Sequence, residues 1–452
     1  MKGRLMRRLR PDQKESIVLL QFGTFLEYFD LLLFVHMAVL LNELFFPKTD
    51  PYTASLVAAF AFSSTYVVRP LGALLFGYIG DHIGRKATVS ITTFMMAGSC
   101  IIIATLPTYT QIGITATWII TICRMIQGIS SMGEVIGAEI YLTETIDPPI
   151  RYVAVSLVSA AGSLGGFAAL AFAAYTTNFQ VNWRIAFWIG ACIALVGAVA
   201  RRRLRETPEF VDMKRRIKNA MQKAGELGVE KVAEKLNTIN TSWKEPVNRV
   251  SMLAYALISF GSTVPFYFRY VYCAGVMKDT FNFSVAEILG QNLVVSIVGF
   301  LGHIVFGFLT YKIFPLKVMR INTLWFLMIV ISTPFILWGM TTPTHLLILQ
   351  CVAGFFALRT SVGFSVVVQH FPIFNRFRYA SMLYALAKVA ATLFVSFGTH
   401  FTTQALGYWG LWLVMLPMTL GFLWGVQHFI KINNRLSPEF TRKKPTQHQQ
   451  AA

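Results

Sequence analysis

The chain has 452 residues, 55% of them hydrophobic and 13% charged, with 40 Lys+Arg against 21 Asp+Glu. A soluble protein carries about 25% charged residues, so a chain this long and this apolar could not keep itself dispersed in water. The composition excludes a soluble enzyme, a disulfide-stapled secreted scaffold and a disordered binder, and it indicates a multi-pass membrane protein.

A spanning helix needs roughly 20 apolar residues. In chain order the sequence predicts twelve, at 17–44, 54–79, 87–106, 111–142, 152–176, 184–200, 250–275, 286–311, 319–340, 344–371, 379–402 and 409–431. A cytoplasmic segment, 1–16, precedes a six-helix bundle at 17–200. A cytoplasmic linker at 201–249, a second bundle at 250–432 and a cytoplasmic tail at 433–452 follow. The fold class expected is all-α integral membrane. With both termini inside, 32 of the 40 Lys and Arg fall on cytoplasmic segments and three (Lys48, Arg184, Lys278) on outer ones. That is the positive-inside pattern. The net charge of +19 is therefore topology charge, and no nucleic-acid partner is expected. Met1 to Arg10 resembles the basic region of a signal peptide, but the apolar run after it is too long and carries Glu27 and Asp30; it reads as a retained first helix. The linker, with Arg201, Arg202, Arg203 and the charged stretch from Glu226 to Leu236, reads as a connector lying along anionic headgroups.

Little enzyme chemistry is available. The dipeptide Gly-Lys of a nucleotide-binding loop occurs nowhere, and no His-Glu-x-x-His, Gly-x-Ser-x-Gly or CxxC pattern is present. The five cysteines fall in apolar spans and read as core thiols. No enzyme activity, cofactor or metal is expected. What stands out is charge inside the membrane, where each ionisable residue costs roughly 2.5–3.5 kcal/mol at a helix centre. Glu27, Asp30, Arg69, Arg124, Arg359 and Lys388 all lie near mid-depth of their spans. To be tolerated they must face one another and a hydrated cavity, which predicts a central polar site between helices. Glu27 and Asp30 share one helix face. Either they carry protons, with one carboxyl's affinity raised by the other, or they form static ion pairs with Arg69 or Arg124. Arg269 is expected to snorkel to the outer interface, and His303 and His370 read as packed. Between 250 and 432 there are two acids, Asp279 and Glu287, against ten bases, most of them topology charge; if the six mid-depth residues line one cavity, its two acids and four bases leave an excess that a solute bearing a carboxylate would compensate.

Between the second and third spans stand Gly77, Gly80, Asp81, His82, Gly84, Arg85 and Lys86. The pattern resembles the cytoplasmic loop signature of the major facilitator superfamily, with His82 where that loop usually has Arg. Glycines let two helices turn back closely, and Asp81 with the basic residues can latch one half onto the other. Further stretches resemble the metabolite:proton symporters of that superfamily: Gly23 with Glu27, Tyr28 and Asp30; Arg69-Pro70-Leu71-Gly72-Ala73; Arg124, Gln127, Gly128, Gly133, Glu134, Gly137, Ala138, Tyr141 and Glu144; and Glu206-Thr207-Pro208-Glu209-Phe210. The turn after the eighth span, Gly307 to Pro315, lacks the acidic residue of a repeated signature.

The resemblance implies two six-helix bundles rocking about a site near the bilayer midplane and symport of protons with a small carboxylate-bearing or zwitterionic metabolite. The carriers it points to take proline and betaine, α-ketoglutarate, shikimate or citrate. It implies Glu27 and Asp30 for proton coupling, and Arg69, Arg124 and Gln127, with Arg359 and Lys388 from the depth argument, for solute binding. A cytoplasmic gate would comprise Gly77, Asp81, Gly84, Arg85, Lys86, Glu134, Glu139, Glu144 and Arg151. The driving force would be the proton gradient, the setting a plasma membrane of the bacterial inner-membrane kind, and the working unit a monomer. An exporter or exchanger of an organic anion or siderophore-like metabolite, or a non-transporting sensor, are the alternatives on the same fold.

Overall fold

The computed structural model describes residues 9–37, 41, 44–46, 67–179, 182–201, 206–207, 211–212, 215, 247–373 and 375–436. Nearly all of the linker, including the stretch from Glu226 to Leu236, lies outside these residues. So do the first half of the second span and most of the tail. Among the described residues the regular structure is entirely helical. The main helices are α1 (Pro11–His36), α2 (Arg69–His82), α3 (Arg85–Thr105), α4 (Ile114–Thr145), α5 (Ile150–Phe179) and α6 (Arg184–Arg201). They continue with α7 (Arg249–Phe281), α8 (Val285–Leu309), α9 (Pro315–Trp338), α10 (Pro343–Phe355), α11 (Arg376–Leu406) and α12 (Gly410–Leu436). Eight helical stretches among the described residues are long and apolar enough to cross a membrane, and the last of these, Arg376–Arg435, contains both α11 and α12. This succession is consistent with the twelve predicted spans.

Local chemistry sets where the helices begin. Proline occupies the first turn of α2, α9 and α10, where its missing N–H has no acceptor to lose. Ser284 and Glu287 form a capping box at the start of α8, satisfying two orphan donors reciprocally.

Two helices depart from the expected continuous spans. The helical run of α7 is interrupted at Ser262 and Thr263 and then passes through a π-helical turn at Phe268–Tyr272. Pro265 lies just after the break and cannot donate a backbone hydrogen bond. The tenth span is split between α10 and a short helix, Ser361–Val367. The carbonyls freed between them are taken up by side chains, as the intramembrane environment requires.

α1 packs along α5, α3 along α4 and α6, and α2 along α4. In the second half α7 and α9 pack on α12, α8 on α10, and α11 on α7 and α12. The halves meet along two seams, α5 with α8 and α2 with α11. Lipid tails are as apolar as leucine, so helices in a bilayer associate through close packing at small residues. Gly165 shows this directly, since a Cβ there would collide with the carbonyl oxygen of Phe25 on α1.

Candidate functional site

The mid-membrane charges are built mainly from α1, α3 and α4. Glu27 and Asp30 are 3% and 2% exposed. Asp30 accepts a hydrogen bond from the Cys100 thiol of α3 at 3.2 Å and lies within electrostatic reach of Arg124 on α4. Arg124 donates to Gln127 Oε1 at 2.8 Å, one turn further along α4, and its guanidinium stacks 4.1 Å from the centre of the Phe34 ring. Aromatic stacking of this kind favours a desolvated cation. Two buried atoms, Asp30 Oδ2 and Gln127 Nε2, have no hydrogen-bond partner among the described residues.

Glu27 lines a small cavity together with Gly23, Thr92, Thr93, Ser130 and Glu134. Thr92 and Thr93 both donate to Glu134 Oε2, at 3.0 and 3.1 Å. Glu134, expected at the inner gate, thus stands with the Glu27 carboxylate. Glu139 is buried at 4% exposure and is likewise not among the residues bonded to the Glu144 carboxylate described below.

At the seam between the halves, Lys388 of α11 donates to Ser262 Oγ at 2.8 Å and to Thr263 Oγ1 at 3.3 Å. It therefore occupies the break in α7, within electrostatic reach of Arg69 from α2. Arg359 is elsewhere. Its terminal amino groups donate to the carbonyls of Ala357 (3.0 Å), Gly354 (3.0 Å) and Gly299 (3.3 Å). Glu27 and Arg359 line different cavities, so the six mid-depth charges do not share one. The reason is the unwound turn after α10, whose freed carbonyls hold the Arg359 guanidinium within the second half. The expectation that Arg269 snorkels outward is also corrected: it is 8% exposed and bonded through Nε to Pro265 O at 2.8 Å.

The second assembly lies at the face that the basic loops assign to the cytoplasm. Asp81 accepts the backbone N–H groups of Phe377 (3.1 Å) and Arg378 (2.9 Å) at the start of α11. A carboxylate suits a helix N-terminus, where unpaired N–H groups and the helix dipole both favour negative charge. Arg85 stands 3.6 Å from Asp81 and donates to both oxygens of Glu144, at 3.1 and 3.2 Å. It also reaches Gly80 O and, across the seam, Ile373 O. Glu144 further accepts from Arg376 (2.9 Å) and from Thr207 (2.7 Å). Glu206 accepts the Arg85 backbone N–H at 2.9 Å, closing the N-terminus of α3.

Expected gate residues Asp81, Arg85 and Glu144 are therefore brought together. Gly77 and Gly80 allow α11 to approach through Arg378 and Phe377. The Lys86 backbone faces Glu206, and Arg151 bonds instead to the Ile146 carbonyl at the end of α4. Arg376 was legible only as topology charge, and no motif marks it.

Gly84 has φ 148°, and a Cβ there would collide with Glu206 Oε2. Gly84→Ala is expected to cost about 1–3 kcal/mol, the price of a strained backbone position, and to lower the thermal unfolding midpoint. An unchanged midpoint would contradict the assignment. Burial pushes the Asp81 carboxyl up from 3.8 to about 7, against the opposing pull of Arg85. A group with a raised folded-state value binds more protons folded than unfolded between these two values, so its contribution to stability is fully present below about 3.8 and is lost as pH rises through about 7. In thermal scans across that window, Asp81→Asn is expected to flatten the slope. An identical slope in the variant would show that Asp81 is not the titrating group.

Residues 19–345 match the family model described as Major Facilitator Superfamily. The chain belongs to the Major Facilitator Superfamily. Among curated relatives, it is 28% identical over 384 residues to a citrate-proton symporter of Salmonella typhi, covering 82% of this chain and 83% of that one. It is 28% identical over 308 residues to a proline/betaine transporter of Escherichia coli, covering 64% of this chain and 59% of that transporter's length. Among solved structures, the proton:xylose symporter XylE bound to 6-bromo-6-deoxy-D-glucose superposes with a TM-score of 0.74 at 15% identity, over 93% of this chain and 95% of that one. At that identity the likeness concerns the fold, which is the superfamily's all-helical membrane fold.

Proposed function

We propose that this superfamily member is a secondary active transporter, coupling protons to movement of a small carboxylate-bearing or zwitterionic metabolite by alternating access. It would work in a bacterial inner membrane, on the proton gradient alone. The observation that carries the reading is the pair of buried carboxylates on α1, Glu27 and Asp30, each in a different polar setting. Asp30 has a thiol donor and a nearby guanidinium, whereas Glu27 shares a cavity with Glu134 and hydroxyls. Carboxylates buried at mid-membrane depth are costly, and functional sites are where such a cost is sustained. The assembly of Asp81, Arg85, Glu144 and Arg376 would close one face while the solute is exchanged at the other. Relatives named as a citrate-proton symporter and a proline/betaine transporter support the solute class without choosing within it.

The test is uptake into proteoliposomes under an imposed pH gradient, using citrate, proline and glycine betaine as probes. Uptake above the equilibrium level that collapses with a protonophore is the expected result. Equal uptake with and without the gradient would refute proton coupling.

A further inference from the structure

The second half has a charge imbalance that its own residues do not resolve. Between 250 and 432 the acids are Asp279 and Glu287. Both are exposed near the junction of α7 and α8, and Glu287 is bonded to Ser284. Arg269 and Arg359, by contrast, are 8% and 4% exposed within the bundle.

Their guanidiniums converge on the same two glycines. Arg359 Nη2 donates to the carbonyls of Gly354 and Gly299. Arg269 Nη1 stands 2.8 and 2.9 Å from where Cβ atoms of Gly354 and Gly299 would be. A Cβ on Gly302 would collide with Arg359 Nη2. Three glycines on α8 and α10 thus clear a recess for two like charges. Donors are left over. Arg269 uses Nε for Pro265 O, and among the described residues its terminal amino groups have no hydrogen-bond acceptor. Arg359 Nε is buried without an acceptor. On its other side Arg359 borders a small cavity with Asn322, whose Nδ2 donates to Ala357 O.

Capping carbonyls beside the helix breaks accounts for the amino groups of Arg359 and for Nε of Arg269. It does not account for the terminal amino groups of Arg269, set beside the first guanidinium, where like charge raises the cost of burying both. Two forked donors side by side suit a carboxylate. His303, one turn beyond Gly299, contacts Gly299 O at 3.0 Å and Ser163 Oγ of α5 at 3.2 Å, so the recess abuts the seam between the halves.

We propose that the Arg269–Arg359 recess is the carboxylate subsite of the second half, and that the solute is an organic acid anion of net negative charge rather than a net-neutral betaine or amino acid. This rests on the transport reading above.

The test is thermal unfolding of purified full-length protein at matched ionic strength, with citrate, succinate, proline, glycine betaine, chloride or phosphate. Wild type, Arg269→Gln, Arg269→Lys and Arg359→Lys are compared. Citrate or succinate is expected to raise the wild-type midpoint, with the shift lost in Arg269→Gln and reduced in both lysine variants. Proline and glycine betaine are expected to leave the midpoint unchanged. Stabilisation by proline or betaine alone, or by no compound, overturns the proposal. So does an equal shift with chloride or phosphate, which would mark a resident inorganic anion, or a full carboxylate shift in Arg269→Lys and Arg269→Gln. If Arg269→Gln does not fold, the wild-type arm decides the solute class and the lysine variants decide the residues. Binding is measured without a gradient, so a protein that binds carboxylates but shows no gradient-driven flux loses the transport reading and keeps the subsite.

Discussion

Replacing Asp30 by Asn is expected to abolish accumulation against a gradient, and Glu27 by Gln to weaken it, while both leave downhill exchange of solute measurable. Each amide keeps the size and much of the hydrogen bonding of the acid but cannot release a proton. In Asp30→Asn the amide oxygen can still accept from Cys100, so the site's shape is retained; what is lost is the negative charge within reach of Arg124. A pH difference of one unit is worth about 1.4 kcal/mol per coupled proton, or about tenfold accumulation. Losing coupling therefore removes about that factor for each unit imposed. The two positions need not behave alike. Glu27 shares its cavity with Glu134, and in Glu27→Gln the second carboxylate remains, so a residual, pH-shifted coupling is expected there and none in Asp30→Asn. Wild-type accumulation in both variants would remove α1 from the proton path.

The second large effect is expected at Glu144. Its carboxylate has no side-chain exposure and joins Arg85 of the first half to Arg376 of the second. Removing one partner of a buried ion pair costs about 3–5 kcal/mol, because the other charge is left uncompensated. Here Asp81 still stands 3.6 Å from Arg85, which places Glu144→Gln toward the lower end. Most of the loss falls on the arrangement in which α2 and α11 meet, so the equilibrium shifts toward the one in which they separate. A shift of about 2.7 kcal/mol changes the population ratio about a hundredfold. Ser381, buried in this seam with its hydroxyl bonded to Ala73 O, offers a reporter. Ser381→Cys, in a background with the exposed Cys192 replaced, is expected to react much faster with a membrane-impermeant thiol reagent when Glu144 is also replaced. Equal labelling rates would mean that the Glu144 contacts do not hold the face closed.

The site was partly legible from chain order. Arginine and carboxylate at mid-depth are conspicuous because hydrocarbon penalises them, and the turn from Gly77 to Lys86 announces a close reversal. Both readings depend on local neighbours. Glu134 could not be placed in the same way, since its helical position alone does not show that Thr92 and Thr93 of α3 face it. Arg376 sits in a basic loop where topology already explains a positive charge, which concealed its bond to Glu144. On an unbroken helix Arg269 falls near the outer interface, where a long cation snorkels. The π-helical turn at Phe268–Tyr272 and the freed carbonyl of Pro265 draw it inward instead.

The amino-acid sequence by itself determined that this is a multi-pass helical membrane protein, which way round its loops are expected to lie, and that Glu27, Asp30, Arg124 and Arg359 fall within its spans. Those properties follow from summed transfer energies and from the placement of lysine and arginine, both additive along the chain. Only the tertiary structure decided which charges meet. Asp30 is bonded to a thiol, Glu27 lines one small cavity with a second glutamate, Glu144 is paired with two arginines from opposite halves, and Arg359 with the carbonyls of an interrupted helix. Partner choice in the membrane depends on where helices break and how closely their small residues let them approach, and neither is a sum over residues.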